Sequence, residues 1–265
     1  MQTGFTRHTK DDIAYYTIPA FDHAGIVKHC FTTRLGGVST GDVSGMNLGF
    51  KCGDVRESVM ENYNIIGDML GIDVQRFVLS DQVHEDTVRI ITSADCGKGI
   101  SRESDIIGVD ALVCAEPNIP FITFYADCVP LFFLDPVKRV AAMAHSGWRS
   151  TVKQIGIKTL EAMANAFGCA PKDILAGIGP SIGHCHFEVG SEVAEHFEDE
   201  FAKSRGGKYD IDLWGVIAEQ LKSAGVQDEH ITLAGLCTAC HTDEFYSYRA
   251  EHGKVGRLAA IMQIV

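Results

Sequence analysis

Apolar residues recur at every third or fourth position in four stretches of the chain and gather elsewhere into short β-branched or aromatic runs. The first helical stretch follows Asp54, read as an N-cap with Glu57 three residues on, and passes through Val59, Tyr63, Ile66 and Leu70 to a stop at Gly71. A second begins after Ser150, carries Val152, Ile155, Thr159, Leu160, Met163 and Phe167, and ends at Gly168 with Pro171 beyond. Val193, Phe197 and Phe201 mark a third; Leu213, Ile217 and Leu221, opening near Asp212 and closing at Gly225, mark a fourth. The strand-like runs are 27–32, 76–83, 87–92, 111–114, 120–125, 139–145, 174–178, 230–236 and 257–264. They come in pairs and clusters rather than in strict alternation with helices. The pattern therefore predicts an α+β (mixed α/β) fold, a layered sandwich of mixed β-sheets covered by helices, and not a doubly wound or barrel fold. No linker, low-complexity tract or repeat interrupts the chain, so a single domain over 1–265 is expected.

Composition narrows the partners. With 265 residues, 46% of them hydrophobic, the chain can bury a sizeable core. Its 23 Lys+Arg against 35 Asp+Glu leave a formal charge of −12, which argues against nucleic acid or an anionic membrane surface and requires any anionic ligand to be held by locally placed cations. The nine cysteines are odd in number and in no framework spacing, and are read as reduced. The first ten residues show no export signal, and the most apolar stretch, 119–134, is interrupted by Pro120, Asp127 and Pro130. A cytoplasmic protein, by default a monomer, is the expectation.

Three places combine a metal-competent or nucleophilic side chain with the end of a predicted strand: Gln82-Val-His84, Ala126-Asp-Cys128-Val-Pro130 and Ala144-His-Ser-Gly-Trp-Arg149. Two imidazoles and one thiolate, from His84, Cys128 and His145, form a borderline-soft set suited to zinc, with a fourth position open for water or substrate. Spacings of 44 and 17 residues make no local motif, so the alternative that all three are ordinary core residues stays open on spacing alone. Arg34 and Arg149 are the candidate phosphate ligands. Arg149 stands at a helix start, and Gly36 and Gly37 beside Arg34 permit close approach of backbone to ligand. Asp127 is a candidate acid/base or a partner of the metal ligands, with a turn-capping role as the alternative.

The same residues carry a resemblance. Thr33-Arg-Leu-Gly-Gly-Val-Ser39, Gln82-Val-His84, Asp110-Ala-Leu112, Ala126-Asp-Cys-Val-Pro130, His145-Ser-Gly-Trp-Arg149, Gly179-Pro-Ser-Ile-Gly183, Phe187-Glu-Val-Gly190, Cys237-Thr238 and Phe245-Tyr-Ser-Tyr-Arg249 resemble, in order, the YfiH/YlmD family of purine nucleoside phosphorylases, also called polyphenol oxidase or laccase-domain proteins. The resemblance implies a zinc site on His84, Cys128 and His145, with copper as another occupant, and a YfiH-like layered sandwich with a cysteine-hydrolase-like active site. The activities it implies are phosphorolysis of adenosine, inosine and S-methyl-5′-thioadenosine, with adenosine deamination as a second outcome. Glu85, Ser146 and Ser150 depart from the family pattern, which puts substrate preference in doubt more than metal binding.

Other readings compete. A thiol hydrolase would use Cys128 as nucleophile and His145 or His84 as base, acting on a peptidoglycan precursor as related sequences are proposed to do. A non-catalytic, division-associated interaction protein would need none of these groups. Multicopper oxidase chemistry requires many clustered histidines, whereas the 11 here include one close pair, His184 and His186. Cys237-Thr-Ala-Cys240-His241 fits the covalent haem pattern but lacks an export signal, and a redox pair is its other use. For His184-Cys185-His186, alternation along an extended segment sends Cys185 to the opposite face from its neighbours, which argues against a second metal there.

Overall fold

A computed structural model describes residues 1–265, and the chain stacks in four layers, helix, sheet, sheet and helix. The seven-stranded sheet runs in the order Gln2–Thr3, Ile231–Leu233, Leu175–Ile178, Val129–Asp135, Val140–Ser146, Ala111–Cys114 and Val88–Ile91. The six-stranded sheet runs Thr6–Lys10, Ile13–Thr17, Val27–Thr32, Leu258–Ile264, Phe121–Tyr125 and Val78–Leu79. Both are mixed, with antiparallel centres and parallel pairs toward the edges. No helix is long and apolar enough to cross a membrane.

The strand Val129–Asp135 shows how the layers are coded. All seven of its residues are buried. Phe132 and Leu134 enter the core between the two sheets, whereas Leu131 and Phe133 enter the core under the helices Ile155–Phe167 and Leu213–Ser223. A strand covered on both faces reads as a continuous apolar run, without the alternation that marks a half-exposed strand. On the far side, Val59, Tyr63 and Ile66 of the helix Arg56–Leu70 pack on Cys30, Ile122 and Ile261 of the six-stranded sheet. Each such large side chain contributes roughly 1.5–3 kcal/mol by its burial.

Several expected elements are altered, each for a local reason. Asp54 does not cap its helix: its carboxylate turns back to accept from Ser39 Oγ at 2.6 Å and Asn47 Nδ2 at 2.8 Å, and Val55 takes the N-cap place. The second helix starts earlier and is broken, Trp148–Val152 then Ile155–Phe167, because Gln154 adopts a left-handed φ of 59°. The third fails as a helix beyond Ser191–Ala194. Gly206 and Gly207, both at positive φ, instead close a hairpin between Ala202–Arg205 and Lys208–Ile211, with Glu188–Val189 as a third strand. The run 76–83 contributes only Val78–Leu79 to a sheet, and a further hairpin pairs the polar, exposed strand Thr6–Lys10 with Ile13–Thr17, a short Ile-Ala-Tyr-Tyr-Thr run outside the expected strands. Val129–Asp135 went unread because of Pro130, which occupies a central strand by using its carbonyl alone, accepting the Gly179 N–H at 2.9 Å.

This topology creates a seam. Phe121–Tyr125 belongs to one sheet and Val129–Asp135 to the other, so Ala126, Asp127 and Cys128 make the crossing between them. His145 lies opposite Pro130 in the neighbouring strand, two residues from Cys128 along the register.

Candidate metal centre

At the seam, donor atoms of His84, Cys128 and His145 come within 4.8 Å of one another, and His84 Nδ1 stands 4.0 Å from Cys128 Sγ. A single buried carboxylate organises the group. His145 donates from Nδ1 to Asp110 Oδ1 at 2.8 Å, which turns Nε2 toward Cys128. Asp110 also accepts the backbone N–H groups of Val83, His84 and Glu85 at 3.0–3.1 Å, the arrangement in which successive amides cradle an anion. His84 pays for that convergence with a left-handed φ of 62°. Burial works against ionisation of Asp110, but His145 and the amides hold its carboxyl below the usual range.

The charges of Cys128 and His145 are coupled. Burial disfavours a thiolate at Cys128, yet His145 and His84 outweigh it and bring the thiol down to about 6. Burial likewise disfavours an imidazolium at His145, while Cys128 and Asp110 raise it to about 9. Cys128 and His145 thus favour the thiolate–imidazolium form as a pair.

The donor set fits a cation. Two ring nitrogens and one sulfur are a borderline-soft combination, and a side chain on Gly147 would put its Cβ 2.8 Å from His84 Nδ1 and 3.2 Å from Cys128 Sγ. Only glycine leaves that space. All three donors line one cavity of about 1000 Å³, so a metal held by them would keep a face toward ligand.

The cavity wall reverses the sign of the chain as a whole. Lys51, Arg56, Arg149, Arg249 and Arg257 line it against Asp81 and Asp127. Four of these cations have protein acceptors: Lys51 binds Asp81, and Arg56, Arg249 and Arg257 donate to backbone carbonyls. Arg149 makes no hydrogen bond to a protein acceptor from its side chain and lies 4.4 Å over the Trp148 ring. Asp127 reaches the wall with both oxygens engaged, Oδ1 by Thr238 Oγ1 at 2.7 Å and Oδ2 by the Arg249 N–H at 2.6 Å, on a backbone at φ 87°.

Arg34 is not brought to this cavity. Its guanidinium donates to Glu251 Oε1 at 3.0 Å and Thr242 O at 2.9 Å and lies over Tyr246, so its charge is already matched inside the protein. Gly36 and Gly37 admit the neighbouring backbones of Asp12, Ile13, Gly45 and Met46 rather than a ligand. Glu85 offers its amide to Asp110 but sends its carboxylate outward to Lys153, and Ser146 Oγ bonds Thr151 Oγ1 at 2.8 Å. Ser150 Oγ is buried without a hydrogen-bond partner. Asp110 and the cavity arginines other than Arg149 were missed as site residues. The available cue for Asp110 was a carboxylate opening an otherwise apolar strand run, Asp110-Ala-Leu-Val-Cys114.

A second group corrects the alternation argument. Residues 183–187 form a tight turn, with the His186 and Phe187 N–H groups both bonded to Gly183 O at 3.0 Å. The donor atoms of Cys185, His186, Cys237 and Cys240 consequently lie within 4.8 Å of one another.

Comparisons with known proteins agree with this architecture. A family model described as multi-copper polyphenol oxidoreductase laccase matches residues 28–265. The chain is 36% identical over 244 residues to purine nucleoside phosphorylase YlmD of Bacillus subtilis, covering 88% of this chain and 86% of the relative. It is 33% identical over 267 residues to a purine nucleoside phosphorylase of Bacteroides thetaiotaomicron, covering 97% and 98%. The crystal structure of YlmD from Geobacillus stearothermophilus superposes with a TM-score of 0.91 at 29% identity, over 98% of both chains. Match length, identity and shared layering together establish that the chain belongs to the laccase-domain family that includes the YlmD purine nucleoside phosphorylases.

Proposed function

We propose that this chain is a zinc-dependent purine nucleoside phosphorylase acting on adenosine, inosine and S-methyl-5′-thioadenosine, with adenosine deaminase activity as a second outcome, and that it works as a single-domain monomer. His84, Cys128 and His145 hold the zinc. The observation that carries this reading is the convergence of those three donors, organised by Asp110, on the wall of a cavity lined by more cations than acids. The activity named for the Bacillus subtilis and Bacteroides thetaiotaomicron relatives supports the reaction class.

In phosphorolysis a phosphate oxygen bonds to C1′ of the ribose as the bond from C1′ to the purine nitrogen breaks, and the purine leaves with a proton. Arg149, whose guanidinium is free of protein acceptors, binds the phosphate. Asp110 fixes the tautomer and orientation of His145, and Asp127 holds the cavity-lining Arg249 segment against the turn that carries Cys128. Zinc, when bound, supplies Lewis acidity and lowers the pKa of a coordinated water to about 7, which suits replacement of the C6 amino group by water in deamination.

A second reading draws on a specific feature: Cys128, His145 and Asp110 also stand in the order of a nucleophile, its base and the carboxylate that orients the base. It describes a thiol hydrolase independent of metal. The multicopper reading is disfavoured because the three-donor centre offers only two histidines.

Incubation with adenosine or inosine, with and without phosphate, followed by separation of nucleosides and bases, tests the proposal. Phosphate-dependent release of adenine and hypoxanthine is expected, and inosine formation from adenosine without phosphate reports deamination. Absence of both products in zinc-loaded enzyme overturns it. Activity toward a peptidoglycan precursor that survives chelation and is lost on thiol alkylation supports the hydrolase instead.

A further inference from the structure

Outside the cavity, two loops bring together four soft donor atoms that nothing in the reaction above employs. Cys185 and His186 come from the turn after Gly183, and Cys237 and Cys240 from a C-x-x-C turn closed by N–H groups of Cys240 and His241 on Cys237 O at 3.1 and 3.2 Å. The distances are those of a coordination polyhedron. Zinc bound at about 2.3 Å to sulfur and about 2.05 Å to nitrogen has tetrahedral edges of about 3.8 Å between sulfurs and about 3.6 Å between sulfur and nitrogen. Here Cys185 Sγ and Cys240 Sγ are 3.6 Å apart, and His186 Nδ1 lies 3.3, 3.7 and 3.4 Å from the sulfurs of Cys185, Cys237 and Cys240. No disulfide joins them. The Gly183 N–H points at Cys237 Sγ from 3.2 Å, the donor expected beside a metal-bound thiolate, and a Cβ on Gly183 would press on Cys185 Sγ at 3.3 Å.

We propose that Cys185, His186, Cys237 and Cys240 form a second metal site of the Cys₃His type, taking zinc or another soft divalent cation as a structural staple. Four protein ligands complete a tetrahedron, so this site keeps no position for substrate. Its function is to tie together the two loops that frame the cavity. The first loop continues into Ile182 and Phe187, which line the cavity, and the second reaches Thr238 and Arg249, both hydrogen bonded to Asp127 beside Cys128. Arg249 closes the link by donating to His186 O at 2.8 Å and Glu188 O at 3.1 Å. The proposal stands whether or not the His84–Cys128–His145 centre is catalytic.

Protein purified under reducing, zinc-replete conditions is assayed for metal by mass spectrometry beside Cys185→Ser, Cys240→Ser and Cys128→Ser, each checked for folding by circular dichroism. Two zinc equivalents in the unaltered protein, one in each variant and none in Cys128→Ser combined with Cys240→Ser are expected, with a lower melting temperature for Cys185→Ser and Cys240→Ser. Should those variants fail to fold, cobalt substitution of the unaltered protein decides: thiolate charge-transfer intensity for four sulfurs over two tetrahedral ions supports the site, and intensity for one sulfur over one ion overturns it. Retention of both equivalents in Cys185→Ser and Cys240→Ser also overturns it. So does a protein 2 Da lighter with one metal, which identifies a disulfide redox pair.

Discussion

The two Cys/His groups offer the same kinds of donor atom and differ in what holds them. At the seam, each donor comes from a separate segment and the buried carboxylate of Asp110 sets two of the three. In the second group all four donors come from two tight turns held by backbone hydrogen bonds, with Cys185 and Cys240 exposed. Donors from separate elements leave a gap where no further side chain arrives, and Gly147 keeps that gap clear. Donors packed by adjacent turns are four in number, enough for every corner of the proposed tetrahedron. An open and a closed site thus follow from how the chain delivers its ligands, more than from which ligands they are.

The sharpest break of this comparison is Cys128→Ser. Removing the sulfur at the open site should cost about 10³-fold or more in kcat/KM for phosphorolysis, since a catalytic metal supplies several kcal/mol, while the melting temperature changes little. Near-normal turnover in that variant would place the chemistry elsewhere. Asp110→Asn comes next. It retains shape but turns an amide toward donors, and a loss of about 10–100-fold in zinc affinity or activity is expected, read by chelator competition, with metal content of the second group unchanged.

Arg149→Ala sharpens the contrast between free and committed cations. Loss of one charge-assisted contact of about 1.5–3 kcal/mol should raise KM for phosphate about 10–100-fold with little change for the nucleoside. Arg34→Ala should leave KM for phosphate unaltered and lower the melting temperature, because its guanidinium serves Glu251, Thr242 and Tyr246. A reversed pattern would return the phosphate site to Arg34. The smallest effect belongs to Glu85→Gly, whose carboxylate meets only Lys153 at the exposed surface. Steady-state assays should find kcat/KM within about twofold.

Much of the layering was legible along the chain because burial on a sheet or under a helix is a periodic property of nearby residues. The runs at 27–32 and 111–114 coincide with strands, and Gly71 and Gly168 end helices in the left-handed conformation that their lack of Cβ permits. Where a single residue type sent a contrary signal, as Pro130 did in a central strand and Phe197 with Phe201 did around a glycine hairpin, local pattern misled. His84, Cys128 and His145 were recognisable as candidates because soft donors stood at strand ends and because their surrounding strings resemble a family; spacing alone did not join them.

What the amino-acid order determined by itself was therefore the inventory: which segments prefer strand or helix, which donors exist, and that any anion must be met by local cations in a chain of net charge −12. Tertiary structure decided the assembly. It put Asp110 behind His145, matched Arg34 internally while leaving Arg149 free, and folded residues 183–187 into a turn that aims Cys185 and His186 at Cys237 and Cys240. The reason is one of range. Propensity and periodicity act over a few neighbouring residues, whereas a coordination site and an ion pair depend on distances of a few ångströms between groups as distant in sequence as Arg34 and Glu251, 217 positions apart, set only once the sheets have packed.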